Sequence, residues 1–363
     1  MELEKKDTRM AHGVAIWAMI LLHLYWGKGA DVNGSPLIWI NQDVPLIYYL
    51  AFLSEICVPF YCFCTGYALF LQFSHMELKE YLKKTYFRLF KFLVHFWVIC
   101  IIFSVVGIFF DQYGEIPVNI YRFLGNFFLL EYTYNGAWWF ASTYTVFILI
   151  SPLFLKLAKK VDSRVLFIVF AMIFCVYYLY KVMMPLNTSP EEYYWKGFWF
   201  RKLSDLWYVS FFYIVGMLLA KEKMISRMRK WWEQIAGRKS NFYLFIVVAV
   251  TTLMVCVIEV SGIVYFIAIF YFICFHLWKK PDYVEKFFLF FGEHSTNIWL
   301  IHMFFYLFIF KDLVFIVKYP VFVIPFMFAL SIACSYVINF VLKQLWKIPL
   351  LRKLTACVEN SGN

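Results

Sequence analysis

Long apolar runs follow one another from end to end of the chain, separated by short charged or turn-rich stretches. They cover residues 10–26, 46–73, 90–110, 137–158, 164–184, 205–220, 242–260, 262–278, 287–310 and 321–343. Most are long enough to cross a hydrocarbon core of roughly 30 Å as helices. None alternates polar and apolar positions like a barrel strand, and unpaired backbone groups are too costly in lipid, so helices are predicted. The segment 116–135 breaks the pattern. It is aromatic but interrupted by Arg122, Asn126 and Glu131, and reads as an interfacial or re-entrant stretch. The expected fold is all-α: a polytopic transmembrane helix bundle of about ten helices, one domain over 1–363, with no soluble domain attached.

Composition agrees. Charged residues make up 16% of the chain, against about a quarter in soluble domains, whose surfaces must face water. A large soluble core would need polar covering faces that are missing here. The basic residues set an orientation. With the N-terminus inside, cytoplasmic segments hold Lys5, Lys6, Arg9, the group Lys79 to Lys91, Lys156 to Arg164, Lys221 to Lys239, Lys279 to Lys286, and Lys343 to Lys353. External segments keep Lys28, Arg122, Lys181, Lys196, Arg201, Lys202, Lys311 and Lys318. This bias puts both termini in the cytoplasm and explains the net charge of +11 without nucleic acid. The basic loops also favour anionic lipid headgroups or a phosphorylated cytosolic ligand. The first run resembles a signal peptide, but no clean small-x-small cleavage site follows, so it is expected to be retained. Most cysteines lie within apolar runs as small hydrophobes, and no spacing points to a metal site or a disulfide framework.

In such a chain the informative residues are polar groups inside apolar runs. Arg9, His12 and His23 lie in RMAHGVAIWAMILLH. At about 100° per residue His12 and His23 return to nearly one face, roughly 16 Å apart along the axis. That excludes joint metal ligation and sets His12 near the cytoplasmic mouth and His23 deep in the membrane. His23 is either a hydrogen-bonding partner for a neighbouring helix or a chemical group. In GEHSTNIWLIH, Ser295, Trp299 and His302 share a face, with Glu293 and Asn297 on an adjoining strip. His294 is expected at the boundary, exposed. Lys84, Arg88 and Lys91 share another helix face, as a solvated stripe paired with Glu80 or as an anion site. Glu55 interrupts the second run. NGAWWFASTY sets Trp138, Trp139 and Phe140 beside Asn135, as an aromatic belt or a platform for a sugar.

These residues carry a resemblance to the membrane-bound acyltransferase type 3 family, whose members O-acylate surface glycans and other extracytoplasmic acceptors. HGVAIWAMILLH is similar to the family's first-helix pattern, and ICVPFYCFCTGYALFL to its second-helix stretch. KTYFR stands where the family has a cytoplasmic basic pair. NGAWWFASTYTVFILISP, FFYIVGMLLAK and FGEHSTNIWLIH match later signatures. Each motif is loose alone; their order over nearly the whole chain is specific.

The resemblance implies a single transmembrane acyltransferase domain in the inner (plasma) membrane, crossing it many times. It implies His23 as catalytic base, with Ser295 and His302 as further catalytic residues and Trp139 and Phe140 as the family's Trp-Phe pair. Acetyl-CoA would be the donor, its phosphates held by Arg9, His12, Lys84, Arg88 and Lys91, with no metal. An extracytoplasmic glycan, acylated within the bundle without a fused relay domain, would be met by Glu55, Asn135, Trp138, Trp139 and Asn297. One departure stands out: the family usually has Arg or Lys at His12, and a largely neutral imidazole is a weaker phosphate partner. Either Arg9 supplies the charge or donor binding is altered. A transporter or flippase for a lipid-linked or small organic substrate is the alternative, since inward-facing His and Glu also suit proton coupling. A member of the family that has lost catalysis is a third reading.

Overall fold

The computed structural model describes residues 3–111, 114, 116–183 and 196–359. Side chains are described except at 181–183, 196–201 and 357–359, so the expected external cations Lys181, Lys196 and Arg201 lie outside the described side chains, as does residue 184 at the end of one run.

Each apolar run has its helix. α1 is Lys5–Tyr25, α2 Leu46–Leu53, α3 Cys57–His75, α4 Leu78–Phe110, α5 Ile120–Phe127, α6 Trp138–Lys160, α7 Ser163–Met183 and α8 Lys196–Lys221. α9 is Met224–Ala236, α10 Ser240–Ile258, α11 Ser261–Leu277, α12 Asp282–Met303, α13 Lys311–Phe315, α14 Pro320–Leu345 and α15 Pro349–Glu359. No strand forms among the described residues; one isolated bridge pairs Trp39 with Pro45. The stretch expected to be interfacial or re-entrant contains the short helix α5. The second run is one span broken at Ser54–Ile56, where Glu55 sits, buried. Seven spans among the described residues are long and apolar enough to cross a membrane, and the protein is a helical transmembrane bundle. α1 and α12 fall outside the seven. They are the helices that carry His12, His23, His294 and His302, so polar groups have displaced the greasiest sequence where the bundle carries its candidate chemistry.

The chain divides into two compact units. One comprises Met1–His12, Ile56–Glu77 and Thr143–Glu285; the other comprises Gly13–Glu55, Leu78–Ser142 and Lys286–Asn363. In the first, α3 and α8 approach through glycines. A Cβ on Gly66 would stand 2.1 Å from the carbonyl oxygen of Tyr213, and one on Gly216 would stand 2.3 Å from that of Phe63. Small residues let backbones close in where lipid offers no hydrophobic drive between helices. Phe147 stacks on Tyr213 with centroids 3.7 Å apart, which seats α6 on the same pair. α7 is started by Asp162, whose carboxylate accepts from the Arg164 and Val165 N–H groups; those bonds hold its pKa below the ordinary carboxylate value.

In the second unit α1 and α12 run side by side in the same direction. Gly13 admits the Phe288 carbonyl, to which a Cβ would stand 2.1 Å away. Further along, Trp17 packs against Phe287, Phe291 and Phe328, and His23 then meets His302. α4 lies along α12 through Phe92 on Trp299 and Phe103 on Phe304. Just past His23, the Asn33 amide donates to the Leu24 carbonyl at 2.8 Å and caps the end of α1.

The glycine contacts yield a stability prediction. Gly66→Leu forces α3 off the α8 backbone and is expected to cost roughly 1–3 kcal/mol or more, as overpacking does. Thermal melting of the detergent-solubilised chain checks this; an unchanged melting temperature would mean the two backbones are not in contact.

Candidate functional site

Two imidazoles meet in the second unit. His23 Nδ1 lies 2.6 Å from His302 Nε2, with the rings stacked at 4.8 Å and 10° apart. Both occupy the last turns of their helices. His23 stands at the end of α1 farthest from Lys5 and Lys6, where Asn33 caps the helix. Immediately after His302 the chain widens from α-helix into a π turn over Phe304–Ile309, a local departure common beside functional groups.

The hydrogen bonds fix which nitrogen carries each proton. His302 Nδ1 faces the carbonyls of Trp299 at 2.8 Å and Ile298 at 3.1 Å. Carbonyls only accept, so Nδ1 of His302 holds the proton and Nε2 presents a lone pair. In the neutral pair, His23 Nδ1–H donates to that lone pair, and His23 Nε2 is left with its own lone pair outward. His302 is fully buried, whereas His23 is partly exposed. The arrangement is a reachable imidazole lone pair held in one tautomer by a buried partner, which is itself oriented by backbone.

The aromatic segment meets α12 at Leu300, two residues before His302. Asn135 Nδ2 and Trp138 Nε1 both donate to the Leu300 carbonyl at 2.9 Å, and Asn135 Oδ1 accepts from the Ala137 N–H at 3.0 Å. Both side chains are fully buried. Trp299 returns a bond from its indole N–H to the Ala137 carbonyl at 3.2 Å, and Phe140 packs on its ring. As placed, Asn135 and Trp138 hold the α12 segment that carries His302. Trp139 is only half-buried.

The structure corrects one expectation about α12 and gives two further residues their partners. His294 is not an exposed boundary residue: it is 4% exposed and its Nδ1 lies 2.8 Å from the Ser335 hydroxyl. Helical periodicity gave it a boundary depth, but α14 covers it. Ser295 is buried and donates to the Gly292 carbonyl at 2.9 Å, so its hydroxyl is taken up by its own helix and bonds neither histidine of the pair. Asn297 belongs to a polar network instead. Its amide donates to the Ser335 hydroxyl at 2.7 Å and to Asn339 Oδ1 at 2.9 Å, and its oxygen meets His95 Nε2. His95, Ser335 and Asn339 were missed. His95 interrupts the run KFLVHFWV and was as visible as His23; the two α14 residues are small amides and hydroxyls that give no periodic signal.

The expected donor rim divides between the units. Arg9 and His12 belong to the first, where Arg9 is exposed and His12 packs on the Tyr61 ring at 5.0 Å. Lys84, Arg88 and Lys91 belong to the second. Lys84 forms an ion pair with Glu80 at 2.6 Å, as the solvated-stripe reading had it. Arg88 is exposed and reaches Thr85 Oγ1 at 3.5 Å, and Lys91 sits over the Phe87 ring at 4.7 Å and the Trp346 ring at 5.5 Å. Among the other basic-loop residues, Lys280 is turned inward toward the Trp278 carbonyl at 3.2 Å, and burial lowers its ammonium to about 8. No group of three or more His, Cys, Asp or Glu suited to a metal ion occurs among the described residues.

Apolar helices enclosing a paired imidazole define an integral membrane protein with a polar site built inside its bundle. A family model described as an acyltransferase domain matches residues 10–340, and the chain belongs to the acyltransferase type 3 family. It is an acyltransferase acting on groups other than aminoacyl groups. No curated protein and no solved structure matches it.

The Leu300 anchor is testable by stability. Asn135→Leu removes one of two side-chain donors to the Leu300 carbonyl and the amide oxygen that accepts from the Ala137 N–H, and is expected to cost about 1–3 kcal/mol. Trp138→Phe keeps the Asn135 bond and should cost less, about 1 kcal/mol from the lost donor if the ring repacks. Melting curves that rank the two in the reverse order would contradict this division of labour.

Proposed function

We propose that the protein is a membrane O-acyltransferase that moves an acetyl or similar short acyl group from cytoplasmic acyl-CoA to a hydroxyl of an extracytoplasmic carbohydrate or lipid-linked glycan. The observation that carries the reading is the His23–His302 pair and its tautomers. His23 Nε2 is the base: it takes the proton of the acceptor hydroxyl as that oxygen attacks the thioester carbonyl. A C–O bond forms, the C–S bond breaks, and the departing thiolate takes the proton back from His23. His302 keeps the Nδ1–H of His23 directed inward, so that the lone pair faces the reactants, and shares the charge that His23 acquires.

The position of the pair supports transfer across the membrane. With the N-terminus in the cytoplasm, as the basic loops favour, Lys5 and Lys6 mark the donor's side and His23 stands at the opposite end of α1. Acyl-CoA brings its phosphates to a cationic face, for which Arg88 and Lys91 on α4 are the candidates in the second unit and Arg9 on α1 the candidate in the first. His12 is the weak member of that set, because a neutral imidazole beside a tyrosine offers a phosphate no charge. The half-buried Trp139 is the better sugar contact of the tryptophan pair, since Trp138 is enclosed. The membrane would be the inner or plasma membrane.

With labelled acetyl-CoA and native glycan, purified His23→Ala protein is expected to lose about 10²–10⁴-fold in transfer rate, the usual contribution of a positioned base. His302→Ala should lose a large part of the same factor with the donor KM little changed. Retention of wild-type transfer by His23→Ala would remove the base from this scheme. Arg88→Ala should raise the acetyl-CoA concentration needed for half-maximal rate while melting at the wild-type temperature; unchanged donor dependence would take Arg88 out of the rim.

A further inference from the structure

His95 is a buried-run imidazole that the scheme above leaves unused. Its Nε2 faces the Asn297 oxygen, and the Asn297 amide protons are already given to Ser335 and Asn339 on α14. The Asn297 oxygen therefore accepts, Nε2 of His95 is the donor, and in the neutral ring Nδ1 carries a lone pair. That nitrogen has no hydrogen-bond partner among the described residues, and His95 is only partly buried. A cluster from α12 and α14 has thus fixed the tautomer of a ring on α4, and the ring's acceptor is left over in an apolar span. Leaving such a group unanswered is costly where water is scarce.

Its place along the helices indicates what answers it. On α4, Arg88, Lys91 and His95 fall at i, i+3 and i+7, on one face, with His95 about 10.5 Å beyond Arg88. On α12, Asn297 precedes His302 by about 7.5 Å of helix rise. α4 and α12 run in the same direction through the Phe92–Trp299 and Phe103–Phe304 contacts. From the basic end inward the second unit therefore presents cations, then a lone imidazole acceptor, then the histidine pair. Acyl-CoA carries phosphates, then the secondary amides of its pantetheine arm, then the thioester, in that order.

We propose that His95, fixed by Asn297, is a donor-binding residue whose Nδ1 accepts a hydrogen bond from an amide N–H of the pantetheine arm. The inference rests on acyl-CoA being the donor, and adds to that reading a subsite for the middle of the arm. Asn297 acts through His95 and is a positioning residue; its own amide does not face the donor.

The test is equilibrium binding to the purified full-length chain, with coenzyme A and with adenosine 3′,5′-bisphosphate, which lacks the arm. His95→Phe keeps the ring volume and removes the acceptor. It should weaken coenzyme A binding about tenfold, the worth of one buried hydrogen bond, and leave the bisphosphate within about twofold of wild type. His95→Gln, whose amide oxygen can accept, should restore much of the coenzyme A affinity. Equal weakening of both ligands would show a structural role and overturn the proposal, as would unchanged coenzyme A binding by His95→Phe. A wild-type chain that binds no coenzyme A at all would instead overturn the donor assignment, and this subsite with it.

Discussion

A buried imidazole in an apolar bundle gains from having its ring nitrogens answered, and the part of the second unit around His302 is arranged to do so. His302 meets it with the backbone of its own helix on one side and His23 on the other. For the pair to meet, α1 and α12 must lie close along their length, which Gly13 permits by admitting the Phe288 carbonyl where any larger residue would collide. For Trp299 and Ile298 to aim their carbonyls correctly, α12 must be held just past them. Asn135 and Trp138 do that from the start of α6 by converging on Leu300. The packing of three segments is thus subordinate to the placement of two protons.

The same rule explains why two polar clusters coexist on α12. His294 and Asn297 face α14 and α4, whereas His302 faces α1. Each cluster is closed through side chains of a different neighbour, so they do not compete for partners. Asn297 gives both of its protons to α14 and receives from His95, which fixes the amide and leaves one ring lone pair on α4. His302 exhausts its own ring and leaves one lone pair on His23. Each network passes its spare acceptor to its more accessible member.

Much of the fold was legible because burial in lipid demands length and apolarity, and the runs from 10–26 to 321–343 have both. The candidate site was legible only in part. His12, His23 and His302 stand out as ionisable residues in apolar runs, and the family motifs added roles to them. The contacts did not follow from periodicity. Ser295 shares a face with His302, yet a hydroxyl on a helix readily bonds the carbonyl three residues back, and Ser295 does so. Asn135 lies among tryptophans in a segment that reads equally well as an interfacial belt, and its burial depends on α12, far away in sequence. His294 was misjudged because depth along one helix says nothing about whether another covers it.

The substitution of histidine at position 12 looks less damaging once the residues are seen by unit. His12 packs on Tyr61 in the first unit, while Arg88 and Lys91 stand on α4 in the second, on the helix that carries His95. A neutral imidazole packs on the Tyr61 ring without the desolvation a buried charge would carry. The departure from the family pattern thus exchanges a charged side chain for a neutral one that packs on Tyr61, with Arg9 exposed one turn earlier, and it leaves the histidine pair at the far end of α1 untouched.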